Sequence, residues 1–202
     1  WQWTWFVPQN VPGLIELMGG NEKFTQKLDT LFSQSSAVTA SVDVSGLIGQ
    51  YAQGNEPVHH VAYLYNYAGM PWKTQEKVRQ IMETLYLPTN AGLCGNDDCG
   101  QMSAWYVISA MGFYQVCPSV PIYAIGSPIF DKVVVHQDNG KDFTIEAKNN
   151  SAENKYIQSA TLNDAPLQRA FFSHSDIISG ARLTLEMGAQ PSMQWGTMPV
   201  VG

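Results

Sequence analysis

Two adjacent carboxylates, Asp97 and Asp98, sit between two glycines in the stretch Gly95-Asn96-Asp97-Asp98-Cys99-Gly100-Gln101-Met102-Ser103-Ala104-Trp105. Glycine permits the sharp backbone reversal that such a stretch needs. Apolar side chains follow at helical spacing, which predicts a helix from about Gln101 to Met111 with Met102, Trp105, Val107 and Ile108 on a broad apolar face. An acidic residue just ahead of a helix commonly caps it and interacts favourably with the helix dipole. The same turn also holds a carboxylate rigidly at the rim of a cleft, which is the geometry a general base requires. The two acids by themselves admit both roles, so their company has to decide.

That company is two further polar clusters, Gln2 among Trp1, Trp3 and Trp5, and the run Gly54-Asn55-Glu56-Pro57-Val58-His59-His60. All three fall at helix ends or in loops. Alternate loops of a barrel of helical hairpins gather at one mouth, where such clusters would meet. Tryptophan rings suit the C–H faces of a sugar. Amide and carboxylate oxygens, as on Gln2, Asn55 and Glu56, suit a hard cation such as calcium. Asn55 and Glu56 also fit plain turn and cap chemistry. His59 and His60 either touch a substrate or are structural histidines at a helix start.

The elements that must position these groups change character along the chain. Trp1 to Val7 is a short strand or a helix-to-loop transition, ended by Pro8 and Pro12. A short helix is predicted over 13–18, and a clear amphipathic one over Glu22 to Gln34, with Phe24, Leu28, Leu31 and Phe32 on one face. Ser35 to Gly54 is a long connection with one short element at Val44 to Ile48. Val58 to Tyr67 is apolar nearly all round and predicts a buried helix. The next helix starts at Pro71 or Trp72 and runs to about Tyr86. After Gly112 strands take over, at Val120 to Ile125, Lys132 to His136, Phe143 to Ala147, Tyr156 to Leu162, Phe171 to His174 and Ala181 to Met187. Their regular spacing predicts an antiparallel sandwich or part of one.

The chain has 202 residues, 45% of them hydrophobic, enough for one large domain or two small ones. Only 14% are charged, the net charge is -6 and no basic patch stands out, which argues against nucleic acid as a partner. Six Trp and nine Tyr exceed what packing alone requires. No run of apolar residues is long enough to span a membrane. Cys94, Cys99 and Cys117 are odd in number and lack paired zinc spacing, so they are read as buried or free thiols. The opening Trp1-Gln2-Trp3-Thr4-Trp5-Phe6-Val7-Pro8 has the look of a cut inside a domain, so the lack of a signal peptide carries no message about localisation.

Four motifs in order, Trp1 to Pro8, Gly54 to Asn66, Pro71-Trp72-Lys73-Thr74 and Gly95 to Tyr106, resemble family 92 of the glycoside hydrolases. Phe143 to Ser151 and Tyr156 to Leu162 resemble its C-terminal region, so the likeness covers essentially the whole chain. The family consists of calcium-dependent, inverting exo-α-mannosidases with a β-rich N-terminal domain ahead of an (α/α)6 barrel. The resemblance implies an α+β fold, in which residues 1–117 are the last helical hairpins of the barrel and 118–202 a sandwich-like antiparallel β region.

The family's general acid is the Glu of a Glu-Gly-Asn-x-Trp-Gln motif, which would lie upstream of Trp1, in an N-terminal part of the same enzyme. Asp98 matches its base. The acid and base of an inverting glycosidase stand about 6.5–9.5 Å apart, leaving room for the attacking water. Some members carry a second acid where this chain has Asn96, and Asp97 is read as a cap. The resemblance further implies Gln2, Asn55 and Glu56 as calcium ligands. Trp1, His59 and His60 become substrate contacts. Gln53-Gly54 borders that metal cluster, and by this position it is where leaving-sugar contacts are expected. Mannose-containing glycans would be the substrates and the periplasm or the exterior the location. Two alternatives remain: a non-catalytic, calcium-dependent carbohydrate-binding module, and a hydrolase of another α-linked sugar.

Overall fold

Proline and asparagine set the first helix. In the computed structural model, which describes residues 1–37 and 44–198, Asn10 caps α1 (Val11–Leu17) by accepting a bond from the Gly13 amide, and Pro12 occupies its first turn. The residues before it coil into a 3-10 turn (Gln2–Trp5) rather than a strand. The turn buries Trp5, whose ring meets Phe24 edge-on. α2 (Asn21–Ser33) buries Phe24, Leu28, Leu31 and Phe32, the face its spacing predicts. The connection that follows contains a two-stranded hairpin, β1 (Leu47–Ile48) and β2 (Tyr51–Ala52), where a single element was expected. Residues 38–43 of that connection lie outside the described residues.

The segment predicted as one buried helix from Val58 to Tyr67 is buried, but it is broken. It makes two 3-10 turns (Glu56–Val58 and Val61–Tyr63) before α3 (Leu64–Tyr67). Bonds from the His59 amide to Glu56 O and from the Tyr63 amide to His60 O tighten it to three-residue spacing. α4 (Pro71–Leu85) and α5 (Gln101–Met111) follow as predicted. One face expectation fails: Val107 on α5 is 56% exposed. It stands two residues from buried Trp105, about 200° round the helix axis, and so points the other way.

The second half is two sheets. A three-stranded antiparallel sheet joins β3 (Phe113–Tyr114), β4 (Ile122–Ile125) and β9 (Phe171–Ser173). A five-stranded sheet is ordered β5 (Lys132–His136), β6 (Asp142–Lys148), β10 (Arg182–Gly188), β7 (Tyr156–Leu162), β8 (Ala165–Pro166). The expected antiparallel region is therefore corrected to a mixed one, because β10 runs parallel to β6 and antiparallel to β7. A short α6 (His174–Ser179), closed by a Ser173–Asp176 capping box, precedes β10 and helps bring it into line with β6. Alternation shows which face of a strand is buried; it is silent on direction. The expected β region ran to 202, and residues 199–202 lie outside those described.

One hydrophobic core runs through both halves, from Trp5 and Phe24 to Phe143, Leu185 and Trp195. Buried polar side chains tie the halves together. Asn66 Nδ2 donates to Ile125 O and Ala170 O, Gln75 Oε1 accepts from the Ile157 amide, and Arg79 donates to Ser127 Oγ, Pro128 O and Asn150 Oδ1. Among the described residues no helix is long and apolar enough to cross a membrane.

Candidate functional site

Two glycines without side chains bring the acidic turn and the Asn55-Glu56 turn into contact. A β-carbon on Gly95 would stand 2.7 Å from both Cα and O of Gly54. One on Gly54 would meet Cys94 O at 2.8 Å and collide with Ser45 Oγ. Backbone therefore lies on backbone, and any side chain at this junction would push the two turns apart. Gly95→Ala is expected to cost about 1–3 kcal/mol of stability through overpacking. A urea-unfolding midpoint unchanged from the wild type would show that the junction yields without strain.

Within the acidic turn the two carboxylates divide their tasks. Asp97 Oδ1 accepts from the Ser103 amide at 2.9 Å and Oδ2 from Ser103 Oγ at 2.7 Å, so this side chain caps α5. The Ser103 hydroxyl, then the backbone amide, hold its carboxyl below the usual range. Asp98 is exposed; its backbone carbonyl accepts from the Gln101 amide, while its carboxylate has no hydrogen-bond or ion-pair partner among the described residues and is open to solvent. Asp97 and Cys99 adopt left-handed backbone, with φ of 53° and 54°. Aspartate tolerates that region; for cysteine it is uncommon, so the turn carries local strain.

The base of the site is a buried polar network. The ring of His59 is 1% exposed, with Nε2 2.8 Å from Gln53 O and Nδ1 3.2 Å from Gln101 Nε2. A carbonyl only accepts, so Nε2 carries the proton and Nδ1 accepts from the amide. Trp105 Nε1 donates to His59 O at 2.8 Å, and Gln101 also donates to Tyr114 Oη. His59 thus links the Gln53 backbone to the first turn of α5. His60 is 5% exposed and donates from Nε2 to Trp5 O, anchoring the tryptophan-rich turn. Neither ring lies open at the surface of this chain.

Gln53 corrects an expectation. It is 0% exposed, accepts from Tyr51 Oη and donates to Tyr86 Oη at 2.7 Å. The hairpin turns it inward, so it braces the network and does not face a leaving sugar. Tyr51, Tyr86, Gln101 and Tyr114 complete this network, though the sequence alone does not single them out. Gln101, next to the acidic turn, was the only one with a local signal.

Burial lowers both histidines from their ordinary value of 6.5, since desolvation disfavours the charged ring. A depressed folded value means that the unfolded chain takes up the proton first. Stability is therefore full above pH 6.5 and is lost as pH falls from there through the folded values. Urea midpoints between pH 7.5 and pH 5 should show this fall, and a flat profile would contradict it.

The 3-10 turn carrying Gln2 packs against the turn of Glu56. Gln2 donates through Nε2 to Gln50 O at 2.8 Å, which leaves its Oε1 available. Asn55 makes no side-chain cap bond, and the Glu56 carboxylate has no hydrogen-bond or ion-pair partner among the described residues. One carboxylate and two amide oxygens fit calcium in kind, but a shell of six to eight needs further oxygens from solvent or substrate. Among the described residues no group of three or more His, Cys, Asp or Glu could hold a metal. Trp1 is 45% exposed at the edge of this region. The three cysteines are free thiols, with Cys99 exposed and Cys117 buried.

Comparison with known proteins shows the family. Residues 1–189 match the glycosyl hydrolase family 92 catalytic domain. The chain is 42% identical, with a TM-score of 0.92, to a family 92 α-mannosidase from Bacteroides thetaiotaomicron solved in complex with mannoimidazole, covering 98% of this chain and 26% of that one. It is 44% identical to a family 92 inverting mannosidase of the same organism, with a TM-score of 0.86 and coverage of 98% and 28%. A curated relative described as an uncharacterized secreted glycosidase of Arthroderma benhamiae is 32% identical over 200 residues, 98% of this chain and 24% of its own length. The chain thus spans about a quarter of the length of these relatives.

Proposed function

The chain belongs to glycoside hydrolase family 92, and from that membership we propose that it is part of an inverting exo-α-mannosidase that removes terminal mannose from mannose-rich glycans. The observation that carries this reading is the division between the two acids: Asp97 is committed to capping α5, while the Asp98 carboxylate stands free on the same turn, whose Gly95 packs on Gly54 beside Asn55 and Glu56.

In this reading Asp98 takes a proton from water as the water oxygen bonds to the anomeric carbon. The bond from that carbon to the leaving oxygen breaks on the opposite face. The leaving oxygen keeps the electron pair and receives a proton from the general acid, which the family resemblance puts upstream of Trp1. Attack from the far face inverts the anomeric centre, so an α-mannoside yields β-mannose first. Trp1 offers a ring for the sugar's C–H face. His59 and His60, expected as substrate contacts, act on the sugar through the turns they anchor. Gln2, Asn55 and Glu56 would hold calcium, which when bound would supply ligation for sugar hydroxyls and orient the ring. The relative described as secreted supports an exported location, outside the cell or in the periplasm.

The test uses the natural polypeptide that carries this chain, an aryl α-mannoside and oligomannosides. NMR should detect β-mannose before its equilibration. Activity should fall at least about tenfold with a chelator, a modest share of what metal assistance contributes, and return with calcium. Tight binding without mannose release would favour the carbohydrate-binding reading, and initial α-mannose would overturn inversion.

A further inference from the structure

A cavity of about 820 Å³ opens beside the acidic turn, between the loop 86–95 and the first turns of α5. That volume falls in the range of small-molecule sites, about 300–1,000 Å³. Asn96 and Asp97 form its border with the turn, while Asp98, Asn55, Glu56 and His59 are not in its wall. It is therefore a neighbour of the proposed reacting position and not that position itself.

The loop that walls it is held by its own backbone. Tyr86 and Leu93 bridge antiparallel, Leu87 N donates to Gly92 O at 2.9 Å, and Gly92 N donates to Thr89 O at 3.0 Å. A β-carbon at Gly92 would strike Leu87 O, so only glycine closes this loop. The wall is thus built before any ligand arrives, which lowers the ordering cost of binding.

Its chemistry suits a neutral polyol. Tyr106 presents a half-buried ring, backed by Tyr86 at 4.9 Å, and Leu87 is 54% exposed beside it. Asn90 and Asn96 bring amides able to donate and accept, as vicinal hydroxyls require, and Thr89 brings a hydroxyl. No lysine or arginine lines the cavity, and its one carboxylate, Asp97, is already bonded to Ser103. A phosphate or carboxylate ligand would find no counter-charge there.

We propose that this cavity is a subsite for the leaving-group side of an oligomannoside, with Tyr106 stacking under a hexose and Asn90 bonding its hydroxyls. The inference rests on the mannosidase reading for the identity of the sugar. Its test is a binding measurement and does not need turnover.

In the natural polypeptide carrying Asp98→Asn, calorimetric titration compares methyl α-mannoside with an α-linked mannotetraose. The tetraose should bind more tightly, by about threefold to tenfold, the range of an aromatic contact. Tyr106→Ala and Asn90→Ala, each added to that background, should remove the increment and leave the methyl mannoside affinity as it was. Asn90 is exposed, so its variant keeps the test valid should the Tyr106 variant fold poorly. Equal affinity for the two ligands, or an increment that survives both variants, overturns the subsite. Mannose release by the polypeptide without Asp98→Asn is scored separately, so a failed subsite and a failed mannosidase reading are told apart.

Discussion

Asp98→Asn should lower mannose release by about 10²–10⁴-fold, the usual contribution of a positioned general base. Asparagine keeps the shape of the side chain but cannot accept the proton from water. Because the Asp98 side chain is exposed and has no partner among the described residues, and its one backbone bond survives the change, the fold loses no side-chain contact at this position. The unfolding midpoint of the variant should match the wild type. Asp97→Asn should behave in the opposite sense. It weakens the cap on α5, so the unfolding midpoint should fall, and it reduces turnover only as far as the turn loosens. The comparison is made on the natural polypeptide, with steady-state kinetics and urea unfolding on both variants. If Asp98→Asn retains wild-type kcat, the base is elsewhere and the mechanism proposed above falls.

Arg79→Ala should be the most destabilising single change in the junction between the helices and the sheets, by about 3–5 kcal/mol. Arg79 is 4% exposed, and its guanidinium donates to Ser127 Oγ, Pro128 O and Asn150 Oδ1, with no carboxylate within ion-pair distance among the described residues. Burial disfavours its charge, the Glu83 carboxylate partly offsets this, and the three acceptors satisfy the buried donors. Truncation removes the charged donor from all three and leaves a cavity behind α4. Arg79→Met separates the two terms, since it fills most of the volume and removes only the hydrogen bonds. Its cost should be smaller, though not zero, because the Pro128 carbonyl is left without that partner. Urea midpoints of the two variants measure both terms. A stabilised methionine variant would mean that the charge is a net burden, as buried ionic groups sometimes are. The effect should reach the site as well, because Tyr86, just beyond α4, bonds Gln53 and the carbonyl of Met102.

Local rules made much of this protein legible. Periodicity located α2, α4 and α5, and alternation located β6, because burial of one face is a property of residues close in sequence. The broken course of Val58 to Tyr67 was not legible. A segment buried on all sides has no polar face to show its period, so 3-10 turns and helix look alike in sequence.

The motif order carried the family, and the Gly95–Gly100 stretch declared itself a cap or a base from residue types alone. That Asp97 is the cap and Asp98 the free carboxylate depends on which oxygen meets Ser103, and only the folded turn decides that. Contacts between residues distant in the chain were likewise settled by the tertiary structure: Gly54 against Gly95, Gln53 turned inward, β10 beside β6 in parallel, and Arg79 reaching Asn150. Side-chain type and spacing describe what a segment buries. What it is buried against follows from the path of the whole chain, and here that path sets the two turns of the site back to back.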